Sequence, residues 1–370
     1  MRAAVDNRIA AASLGINTPL VYLVAFATGA GLAAVGGILG AELLPIEAYY
    51  PLRYMVLFLI VVSVGGLGSI SGSFLASISL GILDTAGRYL LPGIGTIFFF
   101  VAIVVFARAS AQRSDGESAM MDPVLSTSPR RAPTALSFLI PSISVVVGAS
   151  LAFLIFPYDL SFLTRIVIMM IFVVSFDLIL GQAGIATLGH AAMYGCGAYA
   201  AGLISLHLSP DPLLGLMVGA VAGAVMAWIS GLVLLRTHGI TLLMISIAVT
   251  MVLQETASQA RWLTGGADGL AGITVGPLLG LYEFDFVGQV AFIYSVSILA
   301  AVLLLCQVLI GSPFGLALRG IEGSASRMRA IGTPVYRRKV TVYVIAGAIA
   351  GIAGALAAQV TGLVGIEVFN

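Results

Sequence analysis

The sequence predicts an all-α, polytopic transmembrane helical bundle of about 11 spans with two cytoplasmic coupling helices. Three observations carry that expectation. Hydrophobic residues make up 60% of the 370 residues and charged ones only 9%, against roughly 25% charged in ordinary soluble domains. The mean hydropathy is +1.11, with apolar runs long enough to cross a ~30 Å hydrocarbon core. The short alternating strands that a membrane β-barrel needs are missing from the sequence. Third, a basic, helix-forming segment occurs twice between such runs.

The second copy, Ser312 to Lys339, carries six of the seventeen basic residues: Arg319, Arg327, Arg329, Arg337, Arg338 and Lys339. It opens at Pro313 and reaches Gly332-Thr333-Pro334, a stop signal for a short helix. The first copy is MRAAVDNRIAAASLGIN, which aligns without a gap on LRGIEGSASRMRAIGTP at an offset of 317. Arg2 then falls on Arg319 and Gly15 on Gly332, and a Gly/Ala-rich helix follows each. In those helices Ala33 meets Ala350, Gly37 meets Gly354, Leu39 meets Leu356 and Ala41 meets Ala358. Residues 1 to 17 lack the apolar run of a cleavable signal peptide.

In chain order, the first span is expected at Leu20–Leu44, where Gly29, Gly31, Gly36, Gly37 and Gly40 permit close helix approach. An apolar helix over Leu52–Val64 is interrupted by GGLGSISG (Gly65 to Gly72) and resumes over Ser73–Leu83. Such a break at membrane depth lines a water-filled or protein-lined path, or is a tight loop between spans. Ile94–Ala107 closes this half. Residues 108–133, rich in Ser, Pro and charge, read as a cytoplasmic disordered linker. Further spans are expected near Leu136–Phe156, Ser161–Leu180, Leu188–Leu206, Leu213–Leu235, Gly239–Leu253, Phe286–Ile310 and Val340–Leu363.

With the linker inside, four spans precede it and six separate it from the second basic segment, so both copies and the linker share one side. Thirteen basic residues then lie on that side, including Arg8 and Arg236. Four (Arg53, Arg88, Arg165 and Arg261) lie on the other. That imbalance obeys the positive-inside rule and makes the repeat parallel rather than inverted.

Three strings resemble a permease subunit of branched-chain amino-acid-type ABC importers. They are FDLILGQAGIATLGHAAMYGCGAYAAGL (Phe176 to Leu203), LTGGADGLAGI (Leu263 to Ile273) and SPFGLALRGIEGSASRMRAIGTP. RAAVDNRIAAASLGIN and VGGLGSISGSFLASISLGILD (Val64 to Asp84) resemble the C-terminal part of the partner permease. The resemblance implies residues 1–107 as the end of a first permease unit and 134–370 as a second unit lacking its last spans. The chain is thus expected to be a fusion cut at both ends, a fragment of something longer, with Met1 an internal methionine. It further implies uptake through the plasma (inner) membrane of a prokaryote. The expected partners are cytoplasmic ABC ATPase subunits, a periplasmic or extracellular solute-binding protein, a second permease copy or the missing permease portions, and the lipid bilayer. No nucleic-acid partner is expected.

The family's coupling helices map onto Met1–Gly15 and Leu318–Gly332, with Arg2, Arg8, Gly15, Arg319, Arg327, Arg329 and Gly332 as ATPase-coupling residues. A short helix between rigid spans can convert ATPase closure into rotation of those spans. No GxxxxGK[ST] phosphate loop is present, so ATP belongs to a partner chain and no cofactor is expected on this one. The chain departs from the family in having Ala325-Ser326-Arg327-Met328-Arg329 in place of the usual acidic residues and Ala pair. It also has Asp177 where Asn is usual.

Candidate path residues are Gly68, Ser69, Gly189, His190 and Asp177. His190 is a lone intramembrane histidine, lining a path or making an interhelical hydrogen bond; Asp177, on the preceding span, is a candidate partner. Asp84 and Glu255 fall near span ends. Thr264, Gly265, Gly266 and Asp268 are expected on the external side, as a gate, a contact for the binding protein, or a simple turn. A zwitterionic amino acid needs donors and acceptors, and helix N-termini near Ser69–Ser73 and Leu188–Ala191 offer N–H groups to its carboxylate. No nucleophile–base or metal-ligand cluster stands out, so the chain reads as a transport component rather than an enzyme. A second reading is a proton-coupled secondary carrier using Asp177, His190 and Asp84. The solute is left open among aliphatic amino acids, urea and short amides.

Overall fold

The computed structural model describes residues 12–40, 58, 61, 70–90, 148, 153 and 158–369, except 238, 279, 281 and 285–287. The chain divides into two compact units, Met1–Val56 and Leu57–Asn370. Arg2, Arg8, Gly68, Ser69 and the linker lie outside the described residues, as do most of the expected spans at 52–64, 94–107 and 136–156.

In the first unit, α1 spans Thr18–Gly40. Its onset reproduces the second copy of the repeat residue by residue. Gly15 has φ +83 and Gly332 φ +85, the left-handed region that glycine enters without strain. Gly15 N–H donates to Ala12 and Gly332 N–H to Arg329, each at 3.0 Å. One turn on, Val21 N–H reaches Asn17 and Arg338 N–H reaches Pro334, both at 3.1 Å. Every pair is related by the offset of 317 read from the sequence.

The second unit begins its described part with α2, Ile70–Leu90, which starts inside the Gly-rich interruption and contains Asp84. Then follow α3 (Leu160–Ala183), α4 (Ala191–His207), α5 (Pro212–Leu234) and α6 (Gly239–Gln259). A short turn α7 (Arg261–Thr264), a 3₁₀ turn and the strand β1 (Leu270–Ala271) connect to α8 (Gln289–Gly311). The basic segment forms α9 (Pro313–Gly323) and α10 (Ala325–Ala330); α11 (Val335–Thr361) leads to β2 (Leu363–Val364) and a 3₁₀ turn, Ile366–Phe369. Among the described residues six helices are long and apolar enough to span a bilayer, α1, α3, α5, α6, α8 and α11.

The caps follow sequence chemistry. Asp211 accepts from Leu213 N–H at 3.0 Å with Pro212 opening α5, and Ser312 caps α9 ahead of Pro313. Both satisfy N–H groups that a helix start leaves orphaned.

The core centres on α11, which packs against α5, α4 and α3, with α8 on the far side of α3. Glycines make this possible. A Cβ on Gly354 would strike the Tyr194 carbonyl, one on Gly351 the Gly219 carbonyl, and one on Gly223 the Gly347 carbonyl. Three helix backbones therefore meet with no side chain between them, the small-residue packing that bilayers favour. Large side chains such as Phe162, Met169, Val173, Met217 and Val308 face outward, as a lipid-facing surface requires.

The two ends of this unit differ in charge. At one end Arg236 lies over the Tyr336 ring (5.8 Å), Arg338 over Phe314 (5.2 Å), and Tyr336 donates to the Leu232 carbonyl at 3.2 Å. Arg319, Arg327, Arg329, Arg337 and Lys339 belong to the same end. At the opposite end β1 pairs antiparallel with β2, Leu270 facing Val364 and Ala271 facing Leu363. There Gln359 and Tyr294 both donate to the Pro212 carbonyl, at 2.8 and 3.4 Å. Among the described residues of this unit, Arg236 and the basic residues of the second segment thus gather at one end, and Arg261 of α7 belongs to the other.

Candidate transport path and coupling surface

Between α3 and α4 the chain does not turn at the membrane surface. Gly184, with φ +63, ends α3, and residues 185–190 run without helix alongside α6. Helix α4 starts only at Ala191, level with Ser175, about 12 Å inside the basic end by helix rise. The expected span at 188–206 thus begins three residues late and deep in the bundle. A Cβ on Gly189 would fall on the Ser246 backbone carbonyl, and the Ser246 hydroxyl accepts from Leu188 N–H at 3.0 Å. Non-helical backbone is tolerable at that depth where protein covers it, and Ile185, Thr187, Gly189 and His190 are buried while Ala186 and Leu188 are exposed.

His190 sits at the start of α4, 2% exposed, with Nε2 2.8 Å from the Ser175 hydroxyl. The Phe172 and Phe176 rings flank the imidazole at 5.3 and 5.8 Å. Asp177 is not its partner. Two residues beyond Ser175, it is turned about 200° around α3 and lies exposed on the outer face, its carboxylate folded against Gly181. Sequence distance alone could not show this; the buried row Ile168, Ile171, Ser175, Ile179 is the signal that selects Ser175. Among the described residues His190 Nδ1 and the Thr187 hydroxyl are buried without a hydrogen-bond partner, and so is the Tyr199 hydroxyl further along α4.

Replacing Ser175 with Ala removes the histidine's one partner. An interhelical hydrogen bond in a membrane contributes roughly 0.6 kcal/mol, at most about 2. The expected result is a fall of about 1–2 °C in the melting temperature of the detergent-solubilised protein, with Asp177→Asn leaving it unchanged.

The basic segment touches the same break from below. Arg319 Nε donates to Gln182 Oε1 at 3.1 Å, and Glu322 packs on Gly184, where a Cβ would meet its Cγ at 3.2 Å. The sequence suggested one helix over 318–332; the structure has two. Ser324 (φ −166, ψ 101) breaks the run and caps α10 through Arg327 N–H at 3.4 Å. Met328 folds back onto Gly320. Gly332 closes α10, with Thr333 N–H returning to Met328 at 3.0 Å, a Schellman arrangement. Arg327 and Arg329 are exposed.

At the opposite end, Thr264 is buried and its hydroxyl donates to the Ala257 and Ala260 carbonyls. Gly265 and Gly266 have φ +76 and +69, and Gly269 backs onto Val364, so this loop is a tight, glycine-dependent turn; Asp268 is exposed on it. Glu255, near the end of α6, accepts from Gln259 at 2.9 Å. A second core of Tyr199, Ala257, Leu270, Ile273, Val364 and Phe369 fixes the loop against α4 and α6, with Phe369 stacked on Tyr199 at 5.7 Å.

These features define a multi-pass helical membrane protein with a broken helix at its core and a basic helical pair beneath the break. The chain belongs to the family described as branched-chain amino acid transport system, permease component, whose model matches residues 158–369. It is similar to the high-affinity branched-chain amino acid transport system permease protein LivM of Salmonella typhimurium, 23% identical over 319 residues, covering 78% of this chain and 72% of the relative. LivM of Escherichia coli is 26% identical over 233 residues, 57% of this chain and 54% of that protein. No solved structure matches the chain.

Proposed function

We propose that this chain is the membrane-spanning part of an ATP-driven importer for branched-chain amino acids or a related small polar solute. It acts in the inner membrane of a prokaryote, with a solute-binding protein delivering at the β1–β2 end. Separate ATPase subunits bind ATP and dock on the two basic segments, of which Met1–Gly15 is the first. Arg319, Arg327, Arg329 and Gly332 belong to the second docking surface. The observation that carries the reading is the contact of α9 with both Gln182 and Gly184. Motion of α9 moves the end of α3 and the break together, and the break leads straight to Gly189 and His190. A rigid lever of this kind transmits a rotation that loose loops would absorb.

Along the path, the Thr187, His190 and Tyr199 atoms left unpartnered among the described residues supply donors and acceptors of the kind a zwitterion needs. Gly68 and Ser69 take the corresponding role in the first unit, residues 1–107. The proton-carrier alternative needs Asp177 and His190 to exchange protons, and the outward-facing Asp177 disfavours it. The deciding experiment is leucine uptake by proteoliposomes holding this chain with its ATPases and binding protein. Uptake that requires ATP and ignores a pH gradient supports the proposal; uptake driven by a pH gradient without ATP overturns it.

A further inference from the structure

Arg236, Arg329, Arg337 and Lys339 surround one cavity of about 480 Å³ at the basic end, between the end of α5 and the α10–α11 turn. Its lining contains no Asp or Glu, and Lys339 is half-buried within electrostatic reach of Arg329. The three arginines are exposed, and four like charges around one space repel one another unless an anion joins them. The floor is apolar: Leu235 and Val335 are both buried, and Tyr336 forms one wall.

Two features say that this anion carries hydrocarbon. The cavity sits where α5 leaves the apolar layer and α11 enters it, which is the headgroup level of the bilayer. Below Arg236, on the same face of α5 at helical spacing, Leu232, Trp228 and Val225 are 36%, 53% and 48% exposed. An apolar track thus runs from the cationic rim down into the membrane, and Leu232 is joined to the cavity wall by the Tyr336 hydrogen bond. We infer that this cavity is a binding site for the phosphate headgroup of an anionic glycerophospholipid, its acyl chains lying along Leu232, Trp228 and Val225. Basic pockets between transmembrane helices on the cytoplasmic side recognise headgroups in this way. The site shares Arg329 with the proposed ATPase docking surface, but its lipid preference is read on the chain without ATPase and stands or falls by itself.

The test uses the full chain in uncharged detergent, titrated with phosphatidylglycerol or phosphatidylcholine of identical acyl chains and read by native mass spectrometry. Phosphatidylglycerol is expected to bind at least tenfold more tightly. Arg236→Gln and Lys339→Gln should each reduce that preference about fivefold, while Lys339→Arg and Arg327→Gln, the latter outside the cavity, should preserve it. If the Gln variants do not fold, raising salt from 50 to 500 mM must erode the preference of the unaltered chain. Equal binding of the two lipids overturns the proposal. So does displacement of phosphatidylglycerol by glycerol 3-phosphate at similar concentration, which marks a site for free phosphate. Gln variants that keep the lipid preference but lose copurifying ATPase assign the cavity to an acidic protein surface instead.

Discussion

Gly354→Leu is expected to leave almost no folded protein in the membrane, whereas Gly37→Leu, the same change at the repeat-related position, leaves the purified chain's stability within about 0.5 kcal/mol. The two glycines occupy equivalent places in two copies of one sequence pattern, and local geometry at the two helix starts is the same. Their surroundings differ. Around Gly354 a Cβ would fall on the Tyr194 carbonyl, with Ala198 N at 2.9 Å, while around Gly37 nothing lies within 4 Å. Backbone atoms cannot rotate out of the way as a side chain does. Relief requires α11 and α4 to separate, which breaks the Gly351–Gly197 contact as well and disturbs the junction with α5 at Gly219. Overpacking typically costs 1–3 kcal/mol, and a three-helix junction exceeds the upper figure, a large share of the roughly 5–15 kcal/mol that holds a protein folded. Fluorescence-detected size exclusion of the two variants settles the comparison. Gly354→Leu protein with an unchanged elution profile and melting temperature would refute the packing argument.

Arg319→Ala is expected to cut ATP-driven uptake on the order of tenfold while the protein still folds and reaches the membrane. The guanidinium is half-buried and donates to Gln182 across 137 residues of sequence. A hydrogen bond with one charged partner contributes about 1.5–3 kcal/mol; partial exposure brings the figure toward the lower end. Loss of that amount changes a conformational equilibrium roughly tenfold. Gln182→Ala should have a similar effect, and the double variant should be little worse than either, because both remove one contact. Full additivity of the two losses would show that Arg319 and Gln182 act through different partners. In the same assay Arg327→Ala should weaken ATPase copurification without loosening the break, since Arg327 is exposed on α10 and the hydrogen bond to Gln182 is made by Arg319.

The value of His190 as a site residue also changed between sequence and structure. The sequence marks it as a polar group within an apolar segment and offers Asp177 as company. A helix rotates about 100° per residue, so the nearest acid in sequence falls on the exposed face of α3 and a serine on the buried row became the partner. Glu322 and Gly184 carried no signal at all, since neither matters until α9 and the end of α3 are brought together. Thr264 looked like one residue of a loop, and its burial follows from the glycine turns that fold the chain around it.

What the sequence alone determined are properties that run along one dimension. Hydropathy located α3, α5 and α8 within three residues of their ends and α6 and α11 within six. The offset of 317 predicted matching backbone geometry at Gly15 and Gly332, because an αL glycine followed by a helix start is a local event. Tertiary structure decided the rest. It delayed α4 until Ala191, since Ser246 of α6 supplies the contact that an unwound segment needs. It placed Asp177 outside and Ser175 inside, and it set α9 under the break. Each of these depends on which helix faces are turned toward one another, and that is fixed only when glycine backbones such as Gly351 and Gly354 let the helices close.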